Sequence, residues 1–76
     1  MKRNSKRPYL SFTDVEIQII LLLSRQLTVK AIAHQLQIPH RTVEKYKSRS
    51  MKKSGTVNSI GLVVFAIRHQ LISIEQ

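Results

Sequence analysis

Apolar residues recur at helical spacing in four stretches of this chain, each bounded by capping or breaking residues. The first opens with Thr13-x-x-Glu16, the form of a capping box, and Phe12 before it can serve as a hydrophobic staple. Its body, Ile17 and Ile19 to Leu23, is apolar nearly all round, and the cap and the absence of Gly or Pro favour a helix over 14–25. Thr28 can cap a second helix over 29–37, whose Val29, Ile32, Ala33 and Leu36 share one face. Pro39 biases Ile38 away from helical angles and is tolerated in the first turn of a third helix, over 40–53. Gly55 follows where a left-handed residue ends a helix. Asn58 or Ser59 can cap a fourth, over 59–71. Its Leu62–Phe65 run would suit a strand, but a lone strand would have no partner. The fold class expected is therefore all-α, with four helices.

At 76 residues the chain is one domain. A core this small buries roughly 60% of the unfolded surface, so stability is modest without further support. There is no cysteine, which removes disulfides and thiolate metal sites. The net charge is +9 and it is clustered. Residues 1–8 carry Lys2, Arg3, Lys6 and Arg7 with no acid, a block of +4. In residues 40–53, six cations (Arg41, Lys45, Lys47, Arg49, Lys52, Lys53) against Glu44 leave +5, and the remainder is neutral. Such clustering is the footprint of a polyanion binder. Residues 1–9 read as a flexible basic arm and 10–76 as the folded domain. No apolar secretion segment follows the charged start, and no apolar run could span a bilayer. A cytoplasmic protein with no membrane role is the expectation.

The second and third helices form a distinctive pair. Counted from Val29, Ile32 is fourth, Ala33 fifth, Leu36 eighth, Ile38 tenth, Val43 fifteenth and Tyr46 eighteenth. A helix-turn-helix needs a small residue where its helices cross, and Ala33 fits. The other apolar positions fill the wedge between them. The ninth position wants a left-handed residue, and Gln37 stands there at a cost of roughly 1 kcal/mol relative to Gly.

Residues 12–72 resemble the LuxR-type (GerE-like) helix-turn-helix domain of bacterial transcription regulators without a gap. The match rests on Phe12-Thr13, Glu16, Ile19-Ile20, Leu22-Leu23, Thr28, Lys30, Ile32-Ala33, Leu36, Ile38, Thr42-Val43, Lys53, Asn58, Val63, Ala66 and Leu71. Most specific is Thr42-Val43 opening the third helix after Lys30-x-Ile32-Ala33. The resemblance implies a third helix that enters the major groove and a fourth that forms a dimer contact. Several positions depart from the family pattern. Gln26 replaces a Gly, Ala31 a Glu, and Pro39 a capping Ser or Thr, while Tyr46 stands where His is common. Ser50, Ser54 and Thr56 occupy positions of Ile, Leu and Val, so the C-terminal half of the third helix is expected to be loosely held, unless Met51 turns in to compensate.

On the third helix, Val43, Ser50, Met51 and Ser54 form the inward stripe. The opposite face offers Arg41, Glu44, Lys45 and Ser48 as base readers; the resemblance assigns that role to the last three. Lys45 can donate to guanine, and Glu44 can accept from cytosine or instead pair with Arg41 or Ser48. Thr28, Lys30, Thr42, Tyr46, Lys47, Arg49 and Lys53 are candidate phosphate contacts. If Val63, Ala66 and Ile67 face the core, then Gly61, Val64, Phe65 and Arg68 face outward as a dimer surface.

Catalysis is not expected. His34, His40 and His69 lack metal-ligand spacing, and no glycine loop could cradle a phosphate. No metal, cofactor or small-molecule ligand is implied. The leading expectation is a sequence-specific regulator of transcription that binds double-stranded DNA as a homodimer or heterodimer, RNA polymerase being a further possible partner. The alternative is an interaction module that captures another regulator or RNA polymerase without reading DNA. Both a free-standing regulator and a domain of a larger one fit the sequence.

Overall fold

The computed structural model describes residues 11–73, so the arm expected over 1–9 lies outside the described residues. Four helices follow in order: α1 (Asp14–Ser24), α2 (Val29–Leu36), α3 (His40–Ser54) and α4 (Ser59–Arg68). No strand occurs among the described residues, in keeping with the all-α expectation.

Local chemistry explains where each helix starts. Thr13 Oγ1 accepts from the Glu16 amide at 3.2 Å, and Glu16 Oε1 accepts from the Thr13 amide at 2.9 Å, completing the capping box. Thr28 Oγ1 accepts from the Ala31 amide at 3.1 Å. With alanine at that third position no side chain reaches back, so this cap is one-sided. Pro39 precedes α3 at φ −62° and gives no side-chain cap. Asn58 Oδ1 accepts from the Gly61 amide at 2.8 Å.

The helix ends carry more strain. Gly55 ends α3 at φ 71°, as its position suggested. Gln37 follows α2 at φ 59° and ψ 45°, the left-handed conformation expected of the ninth position. Gln26 and Gln70 also have positive φ, 68° and 60°. Gln70 accounts for the largest boundary difference, because α4 ends at Arg68 rather than at 71. The Leu71 amide donates back to the Ala66 carbonyl at 2.8 Å, and Ile72 turns into the core.

Two apolar clusters hold the fold. Ile19 and Leu22 of α1 join Ile32, Ala33 and Val43. Ile20 of α1 joins Phe12, Leu62, Ala66 and Ile72. Helix α1 thus lies between the α2–α3 pair and α4, which is why its apolar residues nearly encircle it.

Candidate nucleic-acid interface

The α2–α3 pair packs as a helix-turn-helix requires. Ile32, Ala33 and Val43 are buried together, with Leu36, Ile38 and Tyr46 packed against them. The small side chain of Ala33 fits this crowded region, and the Ile38 amide donates to its carbonyl at 3.1 Å to close the turn.

This packing fixes which side of α3 faces solvent. Arg41, Glu44, Lys45, Ser48, Arg49 and Lys52 are all exposed. Their spacings of 3, 4, 7, 8 and 11 from Arg41 place them on one face of the helix. Four cations against one carboxylate make that face +3. Neither an ion pair nor a hydrogen bond joins Glu44 to Arg41 or Ser48; among the described residues the one ion pair lies elsewhere. All four expected base readers therefore share an open, mostly basic face.

The expected phosphate contacts divide. Arg49 lies at the edge of the open face with its guanidinium 5.9 Å from the Tyr46 ring centre. Tyr46 is half-buried against the α1–α2–α3 core, and Thr42 and Lys47 are half-buried beside the face. Thr28 and Lys30 are exposed at the start of α2, and the Thr28 hydroxyl accepts from Ala31 while keeping its own hydrogen to donate. Lys53 departs from expectation. Its Nζ lies 2.6 Å from Glu16 Oε1 and donates to the Ser11 carbonyl at 2.7 Å, so its charge is turned toward α1. Lys52 was not among the candidates, yet it lies seven residues from Lys45 and four from Ser48, in the middle of the open face. That spacing could have revealed it.

Glu16 is 1% exposed. Burial pushes its carboxyl up, but the Lys53 ammonium and the Thr13 donors outweigh this and hold it below the ordinary value. Both Lys53 and the Thr13 amide use Oε1, and Oε2 is buried without a hydrogen-bond partner.

The Ser54 hydroxyl is satisfied within α3 and the turn that follows it. Ser50 is buried, and Ser54 Oγ donates to the Ser50 carbonyl at 2.9 Å and lies 2.7 Å from Thr56 Oγ1. Met51 is half-buried against the α1–α4 cluster, as compensation would require.

The outward face of α4 needs correction. Phe65 is half-buried, 5.9 Å from the Phe12 ring and 4.3 Å from the His69 ring between centres, so it packs partly inward rather than standing free on the outer face. Gly61 is half-buried at the capping turn, where a Cβ would lie 3.4 Å from Asn58 Oδ1 and from Thr56 Cβ. Ile67, expected inside, is 39% exposed. Leu62 takes a core position with Ala66, which rotates the helix face relative to expectation. Val64 and Arg68 are exposed as anticipated. The exposed apolar stripe of α4 is Ile60, Val64 and Ile67, and Val57 before the helix is also exposed.

Among the described residues no group of three His, Asp or Glu side chains could hold a metal ion. No helix among them is long and apolar enough to cross a membrane.

Residues 10–66 match the family described as bacterial regulatory proteins, luxR family. The chain is 42% identical over 69 residues to a "putative transcriptional regulator" of Pseudomonas aeruginosa, covering 91% of this chain and 33% of that protein. It is 45% identical over 62 residues to the response regulator Rre1 of Synechocystis, covering 82% and 27% respectively. With the response regulator UvrY of Escherichia coli the identity is 31% over 71 residues, covering 93% and 33%. The chain thus spans about a third of the length of these relatives. No solved structure matched. The family match covers both the helix-turn-helix pair and the helices that brace it, and the chain belongs to the LuxR family of bacterial regulatory proteins.

Proposed function

We propose that this chain is the DNA-binding unit of a bacterial transcription regulator working in the cytoplasm, with α3 lying in the major groove. The observation that carries the reading is the single open face of α3, where Arg41, Glu44, Lys45 and Ser48 are exposed on a helix held from behind by Val43. A recognition helix meets base edges with its N-terminal half, where these four stand. Lys45 donates to guanine O6 and N7, and the unpaired Glu44 accepts from cytosine N4 or steers its neighbours. Thr28, Lys30, Thr42, Tyr46, Lys47 and Arg49 flank that face and hold the backbone, supplying affinity without sequence information.

The unit works as a dimer through α4. The supporting observation is the stripe of Ile60, Val64 and Ile67, three apolar side chains of α4 exposed at helical spacing, with exposed Val57 just before the helix. The partner is a second copy or a related regulator, and RNA polymerase is engaged from the DNA-bound state.

Selection of bound DNA from a random pool, followed by titration of the selected site, tests the reading. Lys45→Ala is expected to relax preference at one or two base pairs, with a loss of about 1–3 kcal/mol on the selected site and little on random DNA. Arg49→Ala is expected to weaken both to a similar degree. Equal losses on both DNAs for both variants would overturn the base-reading assignment. Failure to enrich any sequence would overturn the function.

A further inference from the structure

The adjacent lysines at the end of α3 stand in different surroundings. Lys52 is exposed on the open face, in line with Lys45 and Ser48. Lys53 is 24% exposed, and its ammonium is engaged on three sides: Glu16 Oε1 at 2.6 Å, the Ser11 carbonyl at 2.7 Å and the Phe12 ring, whose centre lies 5.3 Å away. An ammonium has three donors. A phosphate could take Lys53 only by drawing it from a carboxylate that is buried and already has one oxygen without a partner.

The rest of this helix end meets the core with few large apolar side chains. Val43 fixes α3 near its N-terminus, but Lys53 lies ten residues further on, about 15 Å along the axis. Over that distance the inner positions include Ser50 and Ser54. The Ser54 hydroxyl bonds only to Ser50, Met51 and Thr56, within α3 and the turn that follows it. These bonds satisfy the Ser54 hydroxyl without joining α3 to another element. Met51 packs inward, and the polar link across elements is Lys53 to Glu16, 37 residues apart in sequence. Glu16 is itself fixed by the capping box of α1.

We propose that the two lysines divide the work of binding DNA: Lys52 touches the phosphate backbone, and Lys53 touches none but positions α3 through Glu16. The pair and the capping box together make a polar latch that sets the tilt of the recognition helix. This rests on the DNA-binding reading above.

The test measures affinity for the selected site across a range of salt concentrations. Each phosphate contact contributes about 0.9 to the slope of log affinity against log salt. Lys52→Gln is expected to weaken binding and reduce the slope by about 0.9. Lys53→Met alone strands a buried carboxylate and can unfold the domain, so the informative variant is the double substitution Glu16→Gln with Lys53→Met, which leaves no uncompensated charge. At a temperature where circular dichroism shows it fully folded, it is expected to lose roughly tenfold in affinity with the wild-type slope retained. Lys53→Arg, which keeps the ion pair, is expected to bind within about twofold of wild type. A slope reduced by about 0.9 in the double variant would make Lys53 a phosphate contact and overturn the proposal. Wild-type affinity in the folded double variant would reduce the latch to a stability device and would also overturn it. If the wild-type protein itself fails to bind DNA in a salt-dependent way, the DNA-binding reading falls instead.

Discussion

Replacing Gln37 by glycine should stabilise the domain. Gln37 occupies the left-handed region at φ 59° and ψ 45°, where a side chain crowds the backbone at a cost of about 1–2 kcal/mol. Glycine removes that crowding but loses more entropy on folding, which returns roughly 0.5–1 kcal/mol. The residue is exposed, so no buried contact is lost. The net gain expected is about 0.5–1 kcal/mol. For a domain of this size, 1 kcal/mol moves Tm by roughly 4–8 °C, so the shift should be about 2–8 °C upward in a thermal melt followed by circular dichroism. Gln26 and Gln70 also have positive φ and are exposed, so the triple glycine variant should gain nearly additively. Gln37→Ala is the control, since alanine keeps the crowded Cβ and should give no comparable gain. If Gln37→Gly melts below wild type, the turn is not strained as described and the α2–α3 geometry must be reconsidered.

Three further outcomes follow from the packing and the charges. Leu62→Ala removes a fully buried side chain between α1 and α4 and should cost about 2–5 kcal/mol in urea denaturation, enough to unfold much of a small domain at room temperature. Because the Glu16 carboxyl is held below its ordinary value of 4.5, its contribution to stability is complete above that pH and disappears as pH falls through and below it. Wild-type Tm should therefore drop on acidification below about pH 4.5, and Glu16→Gln should drop less; parallel curves would contradict the assignment. Ile60→Asp with Val64→Asp changes exposed residues, so the fold should survive with under about 1 kcal/mol lost while light scattering reports a monomer; a persisting dimer would move the interface elsewhere.

The readily legible features were those set by near neighbours. Thr13-x-x-Glu16, Thr28, Pro39 and Gly55 mark helix ends by chemistry acting over a few residues, and seven of the eight helix ends lie within one residue of expectation. Ala33 and the wedge residues are legible because sterics at a helix crossing dictate size at fixed offsets. The orientation of α4 was harder to read. It is apolar on more than one face, so periodicity could not decide whether Phe65 or Ile67 turns inward. The contact of Phe65 with Phe12 depends on a residue more than fifty positions away. The end of α4 is not marked in the sequence because Gln70, unlike glycine, carries no signature of left-handed geometry. Lys53 was read as a surface cation for a similar reason: Glu16 looked fully accounted for by its cap, and nothing local shows that a lysine 37 residues later would share the same oxygen.

The central claim is that the open face of α3 binds DNA through a small set of cations while its neighbours read bases. The most direct measurement is the affinity of the wild-type domain for a selected duplex and a scrambled one as salt is raised. Roughly five phosphate contacts per domain, drawn from α3 and the start of α2, predict a slope near −4 to −5 for each bound domain, and about twice that for a dimer on both half-sites. The selected duplex should bind at least about a thousandfold more tightly than the scrambled one at each salt concentration. A slope near zero, or equal affinity for the two duplexes, would contradict the account.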